Sequence, residues 1–128
     1  MENLTPNIFV NNINQTIEYY KKLGFEIVMT VPDKPEYIWV MMTCGKVNFM
    51  FQTFTSLADE LPDVRRSNGG SLLLYINIKN LTQYFDSIKD RVEILRGPEK
   101  TFYGTIEFSV KDNNGYVLTF AEDAQGAH

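Results

Sequence analysis

Apolar side chains recur at Ile13, Ile17, Tyr20 and Leu23, the spacing of a helix with one buried face. Asn12 stands where a cap is needed, with Gln15 three residues on to complete a capping box, and Gly24 supplies the left-handed residue that ends such a helix. Strand-like runs surround it: Ile8-Phe9-Val10 before, and Glu26 to Val31, Tyr37 to Thr43 and Lys46 to Thr53 after. The pattern then repeats. Leu72 to Ile78 is a strand, and Asn80 and Gln83 take the places of Asn12 and Gln15. Leu81, Phe85 and Ile88 form the stripe, followed by Val92 to Arg96, Thr105 to Val110 and Tyr116 to Ala121. Each half reads βαβββ, its last two strands joined by tight turns at Cys44-Gly45 and Asn113-Asn114-Gly115.

Phe54 to Gly70 carries Pro62, Asp59-Glu60 and the Ser67-Asn68-Gly69-Gly70 cluster, and reads as a linker with a helical turn. The predicted organisation is a single domain, 1–123, built from modules 1–53 and 71–123 around the linker 54–70, with a polar tail at 124–128. The predicted fold class is α+β: two βαβββ repeats forming cupped, mostly antiparallel sheets with helices on the outer face, each completing the other's core.

Composition narrows the chemistry. The chain has 128 residues, 44% of them apolar and 22% charged, enough for one sizeable core without disulfide or metal staples. Twelve basic against sixteen acidic residues give a net charge of -4, which argues against nucleic acid and anionic membrane as partners. No signal-peptide pattern and no membrane-length apolar run is present, and the lone Cys44 allows no intramolecular disulfide, so the expected location is the cytoplasm. The one histidine is His128, in the polar tail, which removes the commonest metal ligand and general base from the folded body.

Two segments carry a family resemblance. Thr5-Pro6-Asn7-Ile8-Phe9-Val10 with Ile17-Glu18-Tyr19-Tyr20-Lys21-Lys22-Leu23-Gly24-Phe25 resembles the opening of the vicinal oxygen chelate superfamily of glyoxalases, extradiol dioxygenases and bleomycin resistance proteins. Phe102 to Tyr116 is similar to that superfamily's aromatic-Gly segment, strand and Asp-x-x-Gly hairpin. The resemblance covers nearly the whole chain, and it implies the fold more specifically than the function, because one scaffold carries several chemistries. Metal-binding members place His, Gln or Glu at four strand positions, which fall here on Thr5, Met50, Leu73 and Thr119, or after a one-residue slip on Leu4, Phe49, Leu72 and Leu118. Neither set offers imidazole, carboxylate or thiolate donors, so no metal and no other cofactor is expected.

With Thr5 facing the cup, period-two alternation assigns the rest. Ile8, Val10, Val47, Phe49, Phe51, Leu72, Leu74, Ile76, Ile78, Ile106, Phe108 and Val110 pack under the helices; Met29 and Met42 are strand core. The cup receives Thr5, Asn7, Phe9, Tyr37, Trp39, Met41, Asn48, Met50, Gln52, Leu73, Tyr75, Asn77, Thr105, Glu107, Ser109, Val117 and Thr119. The candidate ligand-binding set is Asn7, Phe9, Trp39, Met41, Asn48, Met50, Gln52, Leu73, Tyr75, Tyr103, Glu107 and Thr119. Tyr103 enters because the superfamily often has an aromatic residue at the mouth of the cup. Few polar groups on an aromatic wall is the usual make-up of a small-molecule pocket. The bland alternative is a concave face covered by the linker or a partner subunit, its amides already hydrogen-bonded. Lys21-Lys22 and Lys111-Asp112 read as solvated faces or turns.

Glu107 is the one carboxylate placed on the cup, suited to act as a general base, as counter-ion to a cationic ligand, or as partner of a neighbouring Lys or Arg. Two readings follow. The resemblance to the bleomycin resistance branch implies a metal-free protein that sequesters an amphipathic or cationic aromatic small molecule, working as a homodimer. The alternative is a glyoxalase-like lyase or dioxygenase-related enzyme using Glu107, with Tyr75 or Tyr103 as acid, or a metal site elsewhere. Acid-base work normally needs two groups of separated pKa, and a single Glu makes a thin active site. A third possibility is a module that serves only dimerisation.

Overall fold

The computed structural model describes residues 1–124; His128 and the rest of the tail beyond Ala124 lie outside the described residues. The chain divides into two compact units, Met1–Asn68 and the residues from Gly69 onward. The first contains β1 (Asn7–Val10), α1 (Ile13–Lys22), β2 (Glu26–Val31), β3 (Trp39–Cys44), β4 (Val47–Thr53) and the single turn α2 (Phe54–Leu57). The second contains β5 (Leu73–Asn77), α3 (Leu81–Ile88), β6 (Glu93–Lys100), β7 (Thr105–Lys111) and β8 (Val117–Asp123). Their sheets have the same order, β1-β4-β3-β2 and β5-β8-β7-β6, with the first pair parallel and the others antiparallel. This is the predicted α+β repeat.

Helical periodicity places the cores. Ile13, Ile17, Tyr20 and Leu23 are all buried, and the Tyr20 ring meets Phe25, Phe49 and Phe51 at centroid separations of 5.5, 5.8 and 4.7 Å. In the second unit Phe85 meets Phe108 edge-on at 5.1 Å, and Phe108 stacks on Phe120 at the same distance. Burying a side chain of this size contributes about 2–3 kcal/mol, so these two aromatic clusters are the main hold of helix on sheet.

The two helix starts differ although the sequence repeats. Asn12 caps α1 as predicted, its side-chain oxygen accepting from the Gln15 N–H at 3.0 Å. Asn80 does not cap α3 with its side chain; its backbone is left-handed, with φ of 57°. Glu122 of β8 does this work instead, its two carboxylate oxygens accepting from the backbone N–H groups of Asn80 at 2.8 Å and Leu81 at 3.0 Å. A cap from a distant strand cannot be read from local spacing.

Further expectations are corrected. Leu72 precedes β5 and is exposed rather than packed under a helix, and Met29 on the sheet-edge strand β2 is exposed rather than core. Asp112 is buried, not solvated: its Oδ1 accepts from the Asn114 and Tyr116 N–H groups at 2.8 and 2.9 Å and builds the β7–β8 turn. Strand β6 runs past the expected end at Arg96 to Lys100, across Gly97-Pro98, because it is an edge strand and tolerates a proline that cannot donate.

Candidate functional site

Register fixes which side chains share a face. In the first unit Asn7 pairs with Met50, Phe9 and Trp39 with Gln52, Met41 with Met50, and Asn48 with Thr43, so all seven expected residues of this unit lie on the face away from α1. Their polar groups are largely consumed. Asn7 Nδ2 donates to Gln52 Oε1 at 3.0 Å, and Gln52 Nε2 donates to Ser56 Oγ of α2 at 3.1 Å. Phe9 stacks on Phe54 at 6.3 Å. The turn α2 therefore sits on one end of this face, which is in part the covered arrangement.

In the second unit the polar groups of this face are buried and bonded to one another, with the half-exposed Tyr75 and Tyr103 beside them. Leu73, Tyr75 and Thr119 share the face with Glu107 and Ser109, but Thr119 is buried and its hydroxyl is paired with Ser109 at 2.8 Å. Tyr103 joins them from the hairpin loop between β6 and β7. The Thr101 carbonyl accepts from the Gly104 N–H at 3.4 Å, Thr101 N–H donates to the Thr105 carbonyl at 2.9 Å, and Gly104 takes a φ of +93° to close the turn.

Three hydroxyls converge on one oxygen of Glu107. Tyr75 Oη donates to Oε2 at 2.5 Å, and Tyr103 Oη and Thr105 Oγ1 each donate to it at 2.9 Å. Thr101 Oγ1 accepts from Thr105 N–H at 3.1 Å, which leaves its proton for Thr105 Oγ1 at 2.7 Å, so the whole chain of hydroxyls points toward the carboxylate. Oε1 receives no hydrogen bond from any described residue. Glu107 is 2% exposed, while Tyr75 and Tyr103 are 48% and 56% exposed and present ring surface beside it.

Burial pushes the Glu107 carboxyl up, but the hydrogen bonds from Tyr75, Thr105 and Tyr103 and the nearby Arg96 guanidinium outweigh it and hold the pKa below the ordinary value. The hydrogen bond to that carboxylate pushes Tyr75 up to about 12 and raises Tyr103 as well. Both shifts favour an ionised carboxyl beside protonated phenols at neutral pH. Beside it, Lys100, Phe102, Tyr103, Gly104, Thr105 and Ala124 line an open cleft of about 470 Å³.

The positions that would ligate a metal do not fit one. The neighbouring pairs are Asn7 with Met50 in one unit and Leu73 with Val117 and Tyr75 with Thr119 in the other. Among the described residues no group of three His, Cys, Asp or Glu side chains is arranged to hold an ion.

Comparison with known proteins agrees with this architecture. Residues 4–120 match the Glyoxalase/Bleomycin resistance protein/Dioxygenase superfamily. The chain belongs to this superfamily. Among solved structures it is similar to a protein of unknown function from Agrobacterium tumefaciens, at 23% identity and a TM-score of 0.76, with 95% of this chain and 94% of that one covered. A bleomycin-binding protein complexed with bleomycin matches at 18% identity and a TM-score of 0.69, over 95% and 98% of the two chains. A bleomycin resistance determinant encoded on transposon Tn5 matches at 18% identity and 0.71, over 96% and 98%. At these identities the likeness is one of fold. No curated protein matches the chain, and no helix among the described residues is long and apolar enough to cross a membrane.

Sequence reading missed two groups of the site, Arg96 and Glu99. Glu99 pairs directly with Glu107 across β6 and β7, and Arg96 Nε lies 3.4 Å from Glu99 Oε1. The register shifts between Arg96 and Glu99 break the period-two pattern, so alternation could not carry the face assignment past Arg96. The available signal was the opposite charges three residues apart around Gly97-Pro98.

Proposed function

We propose that this superfamily member binds an amphipathic or cationic aromatic small molecule without a metal and without turning it over. It would act as a homodimer in the cytoplasm. The observation that carries this reading is the Glu107 carboxylate, kept ionised by three donors on Oε2, with Oε1 left for a ligand and two half-exposed tyrosine rings at its side. An aromatic cation matches that environment on both counts, through charge-assisted hydrogen bonding and through ring contact. Bleomycin binding by a similarly folded protein supports the class of ligand. The depressed carboxyl and raised phenols favour binding over an enzyme that would use Glu107 as base and Tyr75 or Tyr103 as acid. Of the twelve expected ligand residues, Tyr75, Tyr103, Glu107 and Leu73 are the ones we assign to direct contact.

Calorimetric titration with bleomycin, naphthylmethylamine and neutral naphthaleneacetamide tests this. The expected result is saturable binding of at least one cation, no binding of the amide, and a loss of about tenfold in Glu107→Gln. Equal affinity of the charged and neutral naphthalenes, or an unaffected Glu107→Gln, would overturn it.

A further inference from the structure

We propose that the ligand's positive group is an amidinium or guanidinium that bridges Glu107 and Glu99, and that Arg96 pairs with Glu99 when no ligand is present. The inference deepens the reading above and depends on Glu107 being the cation's partner.

Glu99 and Glu107 are a directly opposed pair on neighbouring antiparallel strands, so their side chains leave the same face about 5 Å apart at Cβ. Like charges so placed repel unless a cation lies with them. The chain supplies that cation itself. Arg96, on the same face opposite Ser109, contacts Glu99 at 3.4 Å and lies close enough to Glu107 to stabilise its charge. Gly97 makes the approach possible: a Cβ there would stand 2.4 Å from the Glu107 carbonyl oxygen.

The shape of the bridging group follows from the carboxylates. They sit on separate strands, and Glu107 offers only Oε1, so a planar fork with N–H groups directed two ways satisfies both, whereas a methylated ammonium satisfies neither by hydrogen bonding. Arg96 and Glu99 have side chains 55% and 53% exposed, and an ion pair that open to water is weak enough for a ligand to exchange. The tyrosine rings of Tyr75 and Tyr103 then flank whatever aromatic group carries the fork.

The test is calorimetric titration of the full chain with pentamidine, an aromatic bis-amidine, and with benzyltrimethylammonium, an aromatic cation lacking N–H groups. The wild-type protein is expected to prefer pentamidine. Arg96→Gln, which removes the internal competitor, should bind pentamidine roughly threefold to tenfold more tightly. Glu99→Gln should lose about tenfold for pentamidine and change little for benzyltrimethylammonium. Arg96→Lys keeps the charge without the fork and should fall between wild type and Arg96→Gln. Unchanged or weaker pentamidine binding in Arg96→Gln, or an unaffected Glu99→Gln, overturns the bridge. If Glu107→Gln still weakens binding in that case, only the bridge fails; if Glu107→Gln is also without effect, the cation reading fails with it.

Discussion

Gly97 and Glu107 approach so closely that a Cβ on Gly97 would lie 2.4 Å from the Glu107 carbonyl oxygen and 3.0 Å from Phe108 Cα. The contact is backbone to backbone, so no side-chain rotation relieves it, and Gly97 also holds a φ of +86°. The edge strand β6 can therefore bulge at this point and resume pairing with Glu99 opposite Glu107.

Gly97→Ala is expected to destabilise the protein by about 2–4 kcal/mol, from left-handed strain added to displacement of the two strands. Urea unfolding measures this. Because the shift separates Glu99 from Glu107, any residual folded protein should also bind pentamidine more weakly.

The Glu107 cluster makes stability depend on pH at both extremes. A carboxyl held below its ordinary value of 4.5 stabilises the folded state above that pH, and the contribution disappears as pH falls through the lower folded value. Tyr75, raised from 10.0 to about 12, acts at the other end: its contribution is present below pH 10 and is lost as pH rises toward 12. Thermal melting of wild type and Tyr75→Phe should converge at alkaline pH, and in phenolate absorbance Tyr75→Phe should have one fewer late-titrating tyrosine than wild type.

The helix starts should respond in opposite ways to matched substitutions. Asn12→Ala removes the bond to Gln15 N–H and should cost about 1 kcal/mol, whereas Asn80→Gly suits a left-handed backbone and should be neutral within about 0.5 kcal/mol. Chemical denaturation of both variants checks this.

Glu122→Ala should cost about 1–2 kcal/mol, because the N–H groups of Asn80 and Leu81 lose their acceptor at the positive end of α3. Hydrogen exchange should accelerate first at Leu81. Glu122→Gln keeps an acceptor and should lose less.

Buried Asp112 carries two backbone N–H groups of the β7–β8 turn, so Asp112→Ala should cost about 1–3 kcal/mol. Asp112→Asn retains an oxygen in the same place, and the difference between the two variants in urea unfolding reports the value of the acceptor.

Much of the face that carries Glu107 was legible in the sequence, and particular residues show where legibility stopped. Alternation along β5 and β7 placed Tyr75 and Glu107 on one face because side-chain direction in a regular strand depends only on parity. Tyr103 came from a resemblance, since a loop residue has no parity. Thr119 was placed on the correct face, yet its hydroxyl is spent on Ser109, a partner set by cross-strand register. Arg96 and Glu99 were missed because the shifted register between them cancels parity.

The sequence by itself determined the order of elements, their duplication, the buried stripes of α1 and α3 and the greasy faces of the sheets. These follow from periodicities of 3.6 and 2 that any short stretch of chain expresses. Only the tertiary structure decided which polar groups remain available. The amides of Asn7 and Gln52 bond to each other, Glu122 is drawn to a helix start, and Glu107 gathers three hydroxyls on one oxygen and keeps the other. A hydrogen bond is satisfied by whichever donor the fold brings within about 3 Å, and that choice is made between residues far apart in the chain.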